Sequence, residues 1–102
     1  MKIQEIPDSA LLYLREESGS QLILKALKKA GSKRELIKNV LLYQGKSPDV
    51  TRLNKIMQGS QGLPKFRYMR LLQFLGISSN QALKYIKKIK IIKNGRTFWV
   101  VI

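Results

Sequence analysis

Apolar residues recur along most of this chain at helical spacing, and Gly, Ser and Pro interrupt the recurrence at intervals. The opening "MKIQEIP" is short and reads as a strand or a loose arm. "DSALLYLREES" predicts a first helix, capped by Asp8 or Ser9, with Leu11, Leu12 and Leu14 on one face; Gly19 interrupts it. "SQLILKALKKAGS" predicts a second helix. Leu22, Leu24 and Leu27 point inward, with Ile23 a further candidate, while Lys25, Lys28 and Lys29 point outward and Gly31 is the stop. Ser32 caps a third helix, and Glu35 three residues on completes a capping box. That helix runs through "KRELIKNVLLY" and buries Leu36, Ile37, Val40 and Leu41.

"SPDVTRLNKIMQG" predicts a fourth helix over residues 47–58. Ser47 is its cap, Pro48 fits the first turn, and Asp49 favours the positive end of the helix dipole. Val50, Leu53, Ile56 and Met57 form one apolar stripe opposite Thr51, Arg52, Asn54, Lys55 and Gln58. After the loop "SQGLP", "KFRYMRLLQFLG" predicts a fifth helix that buries Phe66, Met69, Leu72 and Phe74 or Leu75 and ends at Gly76. "SSNQALKYIKK" predicts a sixth, with Leu83 and Ile86 inward. The period then changes to that of strands. "IKIIKNGRTFWVVI" surrounds Asn94-Gly95, a pair suited to the positive φ angles of a type I′ turn, and predicts a hairpin of strands 89–93 and 96–101. The expectation is a mainly α bundle of five to six helices with a C-terminal β-hairpin. It forms a single domain over 1–102, divided into N-terminal helices 8–31, a core 32–88 and the hairpin 89–102.

Charge changes the picture more than composition does. Twenty Lys and Arg against six Asp and Glu give a formal charge of +14. All six acids lie before Val50, and the eleven Lys and Arg from Val50 onward have no acid among them. That half cannot neutralise itself, so its field favours a polyanion. Absent His and Cys remove the commonest general base, the commonest metal ligand and any thiolate site. No catalytic set of Ser, Lys, Asp and Glu is placed persuasively, no Gly-rich phosphate loop appears, and neither metal nor cofactor is expected. Glu16 and Glu17 read as surface charges. The chain lacks a secretory pattern and an apolar run of membrane-spanning length, which gives the expectation of a cytoplasmic, nucleoid-associated protein.

A helix that reads DNA needs a rigid apolar back and short or forked polar tips in front, because each base pair displays its own donor and acceptor pattern in the major groove. Thr51 suits a thymine methyl, Arg52 forks onto guanine, Asn54 pairs with adenine, and Lys55 reaches a guanine or a phosphate. In the following loop Ser60, Gln61 and Lys65 suit the phosphate rail, as do Lys33 and Arg34 at the start of the third helix.

Three consecutive segments, "GSKRELIKNV", "SPDVTRLNKIMQG" and "LPKFRYMRLLQFLGIS", resemble the phage Cro/CI-type (lambda-repressor-like) helix-turn-helix family over roughly residues 22 to 80. "LNKIMQG" looks like the end of a recognition helix, with Leu53 and Ile56 as buried anchors and Gly59 as the stop; "LPKF" also resembles the CII activators of the same group. The resemblance makes 32–88 a helix-turn-helix core. It implies base-edge positions for Val50, Thr51 and Lys55 and a phosphate contact for Gln58. The chain departs from the family in two ways. Ile37 and Leu41 are large where a small residue is usual, and "LLYQGK" is longer than the usual turn, so the positioning helix is expected to run a turn further.

These residues and this resemblance give the expectation of a sequence-specific double-stranded DNA-binding regulator of phage or prophage type, with no enzymatic activity. It is expected to act as a homodimer, because one recognition helix buries too little to specify a site. Phe98, Trp99, Val100 and Val101 are the candidate dimer contact. Their strand is apolar on both faces and pairs either with its copy or, inside one chain, with "MKIQEI". The alternative is a small basic mobile-element protein, an anti-defence inhibitor or antitoxin, that turns the same helices on a protein partner. RNA binding ranks lower for want of an aromatic-rich sheet motif, and membrane association lower still.

Overall fold

Leu11–Leu14, expected to be helical, forms a strand, β1, and the architecture follows from it. The computed structural model describes residues 1–44 and 50–102. After a 3-10 turn at Ile3–Glu5 come β1 and then helix α1 (Glu16–Ala30). Helix α2 (Lys33–Glu35) continues as a wider π-helical turn, Leu36–Val40. Helix α3 (Val50–Met57), strand β2 (Leu63–Pro64) and helix α4 (Lys65–Leu75) follow. A 3-10 segment, Ser79–Tyr85, then leads into β3 (Ile86–Lys93) and β4 (Arg96–Val101). The strands form one antiparallel sheet in the order β2-β1-β3-β4. The expected mainly α bundle is therefore corrected to an α+β fold in which helices cover one face of a four-stranded sheet.

The physical reason lies in the side-chain period of "LLYL". Leu12 and Leu14 are fully buried, whereas Leu11 and Tyr13, which alternate with them, are only partly covered: a period of two, as on a pleat. Leu12 pairs with Ile89 and Leu14 with Ile86, all four without solvent exposure. The strand is pinned at both ends, where the Lys65 N–H donates to the Ala10 carbonyl and the Arg15 N–H to the Tyr85 carbonyl. The first helix thus starts at Glu16 and runs without interruption through Gly19. A glycine is needed there because a Cβ would fall 2.5 Å from the Cβ of Leu14, where α1 crosses β1. The third strand beside the hairpin is β1, not "MKIQEI". The expected sixth helix shrinks to a 3-10 segment because β3 takes Ile86 onward.

Other expectations hold at the level of caps and turns. The Ser32 hydroxyl accepts the Glu35 N–H at 3.1 Å, one half of the expected capping box, while the Glu35 carboxylate accepts from the Asn39 amide instead; Gly31 and Gly76 end their helices in the left-handed region. Asn94 and Gly95 take φ of 54° and 74°, as a type I′ turn requires. Leu36, Ile37, Val40, Leu41, Leu53 and Ile56 are buried as read. Two stripes are rotated. On α1, Ile23 is buried and Leu24 is exposed; on α4, Tyr68 and Leu71 are buried and Phe66 is exposed. The Tyr68 hydroxyl donates to the Ala82 carbonyl, and burial raises its pKa well above the usual phenol range. Among the described residues, no helix is long and apolar enough to cross a membrane.

Candidate nucleic-acid interface

Helix α3 is fixed from behind. Leu53 and Ile56 are buried and share a seam with Ile37, Leu41 and Tyr43 of the preceding helix and its exit. The large Ile37 and Leu41 fill this seam. The exit itself is unusual. The Leu41 N–H returns to the Leu36 carbonyl five residues back, the Tyr43 N–H reaches Ile37, and Leu42 sits at φ 59°. A π turn leaves more carbonyls open at its end than an α turn, and here α4 supplies the donors. Arg67 Nη1 donates to the Leu41 carbonyl at 2.5 Å and Arg70 Nε to the Val40 carbonyl at 2.8 Å. The Arg67 guanidinium also lies 4.1 Å from the Tyr43 ring centre, and that of Arg52 lies 4.6 Å from it. Burial raises the Tyr43 pKa, and the charges of Arg67 and Arg52 draw it partway back. Tyr43 thus holds Arg52 of α3 and Arg67 of α4 together, each contact contributing about 0.5–1 kcal/mol.

The front of α3 presents Thr51, Asn54, Lys55 and Gln58, all exposed, with Arg52 half-buried beside Tyr43. The proposed start of the helix, Ser47, Pro48 and Asp49, lies outside the described residues, as does the Val50 side chain. Asn54, Met57 and Gln58 share an open cleft with Glu16 and Ser20 of α1, so a carboxylate borders the polar face. Sequence reasoning took Glu16 for a plain surface charge and had no signal that α1 and α3 meet there.

The phosphate candidates separate into two groups. Lys33 and Arg34 are exposed at the start of α2, and Gln58 is exposed at the end of α3. Of the other three, Ser60 is exposed, Gln61 is half-buried and Lys65 turns inward. The Ser60 and Gln61 N–H groups and the Ser60 hydroxyl all donate to the Lys55 carbonyl, winding the chain back over the end of α3. Lys65 is buried; its ammonium donates to the Ile6 carbonyl at 2.6 Å and stands 3.6 Å from the Asp8 carboxylate. Lys65 therefore fastens the N-terminal segment to α4, and its charge is turned away from the surface.

Of the candidate dimer residues, Phe98, Trp99 and Val101 are exposed, and Val100 is half-buried opposite Ile89. β4 is the outer strand of the sheet, so its far edge carries no strand partner among the described residues. Trp99 is not isolated: its ring lies 5.5 Å from that of Tyr13 across the sheet. No protein-family model, curated protein or solved structure matches the chain.

Proposed function

We propose that this chain is a sequence-specific double-stranded DNA-binding regulator that reads the major groove with α3. The observation that carries the reading is the front of that helix. Thr51, Asn54, Lys55 and Gln58 stand exposed on an element whose back, at Leu53 and Ile56, is fully buried. Side chains held on a rigid helix keep their direction, which base readout requires. The charge of +14 supplies attraction to the phosphates, with Lys33 and Arg34 placed for the rail. Arg52, stacked on Tyr43, braces the helix. The resemblance to the Cro/CI group supports the same assignment and a phage or prophage setting, with action on the nucleoid. The mechanism is binding alone, with occupancy of a site blocking or recruiting polymerase.

Selection of bound sites from random duplexes tests it, followed by substitutions on the enriched sequence. Asn54→Ala and Lys55→Ala are each expected to cost about 1–3 kcal/mol on that site and to relax the preference at one position. Lys33→Ala and Arg34→Ala are expected to weaken all duplexes alike. If no shared sequence emerges, α3 is not a reader, and the reading of a basic protein with a protein partner takes its place.

A palindromic site calls for a two-fold dimer, and the open edge of β4 supplies a route to one through antiparallel pairing of 96–101 with its copy. Sedimentation at high micromolar concentration is expected to give twice the chain mass of 11.7 kDa. A single-chain mass there would remove β4 as the dimer contact and leave each chain to read its site alone.

A further inference from the structure

The register of the sheet sets its outer face in rows, two of which reach β1. Leu11, Lys90 and Trp99 lie abreast in one, and Tyr13, Lys88 and Val101 in the other. The Tyr13 and Trp99 rings meet at 5.5 Å with their planes tilted by 50°. The Lys88 ammonium stands 4.9 Å from the Trp99 ring centre and 5.1 Å from that of Tyr13, and the Lys90 ammonium 5.7 Å from Trp99. Trp99 remains 50% exposed. Space for the second ring comes from Gly62, where a Cβ would fall 3.0 Å from the Tyr13 ring.

We propose that this face binds an unpaired DNA strand, with bases stacked on Trp99 and Tyr13 and the flanking phosphates on Lys88 and Lys90. The arrangement combines the two elements that such binding uses: ring faces for bases and cations that track the backbone. Stacking on an aromatic ring is worth about 5- to 150-fold in affinity per base. A lysine over an exposed ring is worth only about two- to fivefold. A base therefore displaces the ammonium groups from the rings, and the phosphates beside it take them up. A second copy of this chain is a poorer occupant, because face-to-face packing would set Lys88 and Lys90 of one chain against those of the other. Duplex DNA hides its base faces and gains nothing from the rings. The face works through rings and ammonium groups, which an unpaired DNA strand engages in full without a 2′-hydroxyl. The site is separate from α3 and does not depend on the reading given to that helix.

The chain has one tryptophan, so its emission reports on this face alone. Titrating the full chain with an oligo(dT) of about 12 nucleotides is expected to quench Trp99 fluorescence by more than about half. Trp99→Leu is expected to lower oligo(dT) affinity, read by anisotropy of labelled DNA, by about tenfold or more, and Trp99→Phe, which keeps a ring, by less than about threefold. Lys55→Ala, on α3, should weaken duplex binding and leave oligo(dT) affinity within about threefold of the parent. Unquenched emission on binding, or Trp99→Leu binding oligo(dT) as the parent does, overturns the proposal. Oligo(rU) bound more than about threefold more tightly than oligo(dT) overturns the assignment to DNA.

Discussion

Raising the salt from about 50 to about 200 mM is expected to weaken duplex binding by about a thousandfold. Each phosphate neutralised by Lys or Arg releases condensed counterions, and the logarithm of affinity falls with the logarithm of salt by about 0.9 per contact. Not every cation in this chain can contribute. Lys65, Arg67 and Arg70 donate to backbone carbonyls within the fold. Lys33, Arg34 and Lys55, with exposed lysines such as Lys25 and Lys28 on α1, remain at the surface, and the described acids near α3 are few. About six phosphate contacts then give a slope of about −5, which over a fourfold change in salt amounts to three decades. Anisotropy titrations on one duplex at several salt concentrations measure it. A slope near zero would sink the electrostatic argument for α3 and leave only short-range contacts to hold the chain on DNA.

Gly59→Ala is expected to be among the most destabilising single-methyl changes in the chain. Gly59 ends α3 at φ +74°, in the left-handed region, where a side chain costs about 1–2 kcal/mol. Its position adds a second cost. A Cβ there would run into the Leu14 carbonyl oxygen of β1 and come within 2.7 Å of the Lys87 ammonium. Lysine can move, but a strand carbonyl inside the sheet cannot, and overpacking of that kind costs about 1–3 kcal/mol more. Gly76 separates the two contributions. It has φ +70° with nothing within 4 Å of its would-be Cβ, so Gly76→Ala carries the backbone cost alone. Urea unfolding is expected to show Gly59→Ala losing about 2–5 kcal/mol and Gly76→Ala about 1–2 kcal/mol. Equal losses would mean that α3 does not dock on β1 at Leu14. Where the Gly59 variant still folds, a displaced α3 should lose sequence preference before it loses affinity for random duplex.

Local chemistry made the hairpin turn, the Ser32 cap, the glycine stops and the buried back of α3 legible, because each depends on residues within one turn of itself. β1 was not legible. Four apolar residues satisfy a helical stripe as well as a pleat, and what decides between them is β3, far along the chain. The site inherited the same blindness. Thr51, Asn54, Lys55 and Gln58 could be read from one helix, but the pairing of Tyr13 with Trp99 exists only once β1 and β4 flank β3. Lys65 carried no sequence signal for burial, since its acceptor is the Ile6 carbonyl, which only the closed fold brings near. Likewise, nothing in "KRELIKNV" announced a π turn whose carbonyls α4 would satisfy.

The strand order also sets a sequence of events in time. Leu12 meets Ile89 more than seventy residues along the chain, so until β3 has been synthesised β1 has only the two-residue β2 to pair with. Until then Leu12 and Leu14 lack the cover of Ile89 and Ile86, while α1 and α4 are already free to coil and associate. The helices are thus expected to assemble first and the sheet to close last. Closure draws the opening and final segments of the chain together around β3, trapping Leu12, Leu14, Ile86 and Ile89 in one step. A nascent chain stalled before Ile86 would carry an apolar strand with its long edge open, the state in which this molecule is most exposed to aggregation and to chaperone capture.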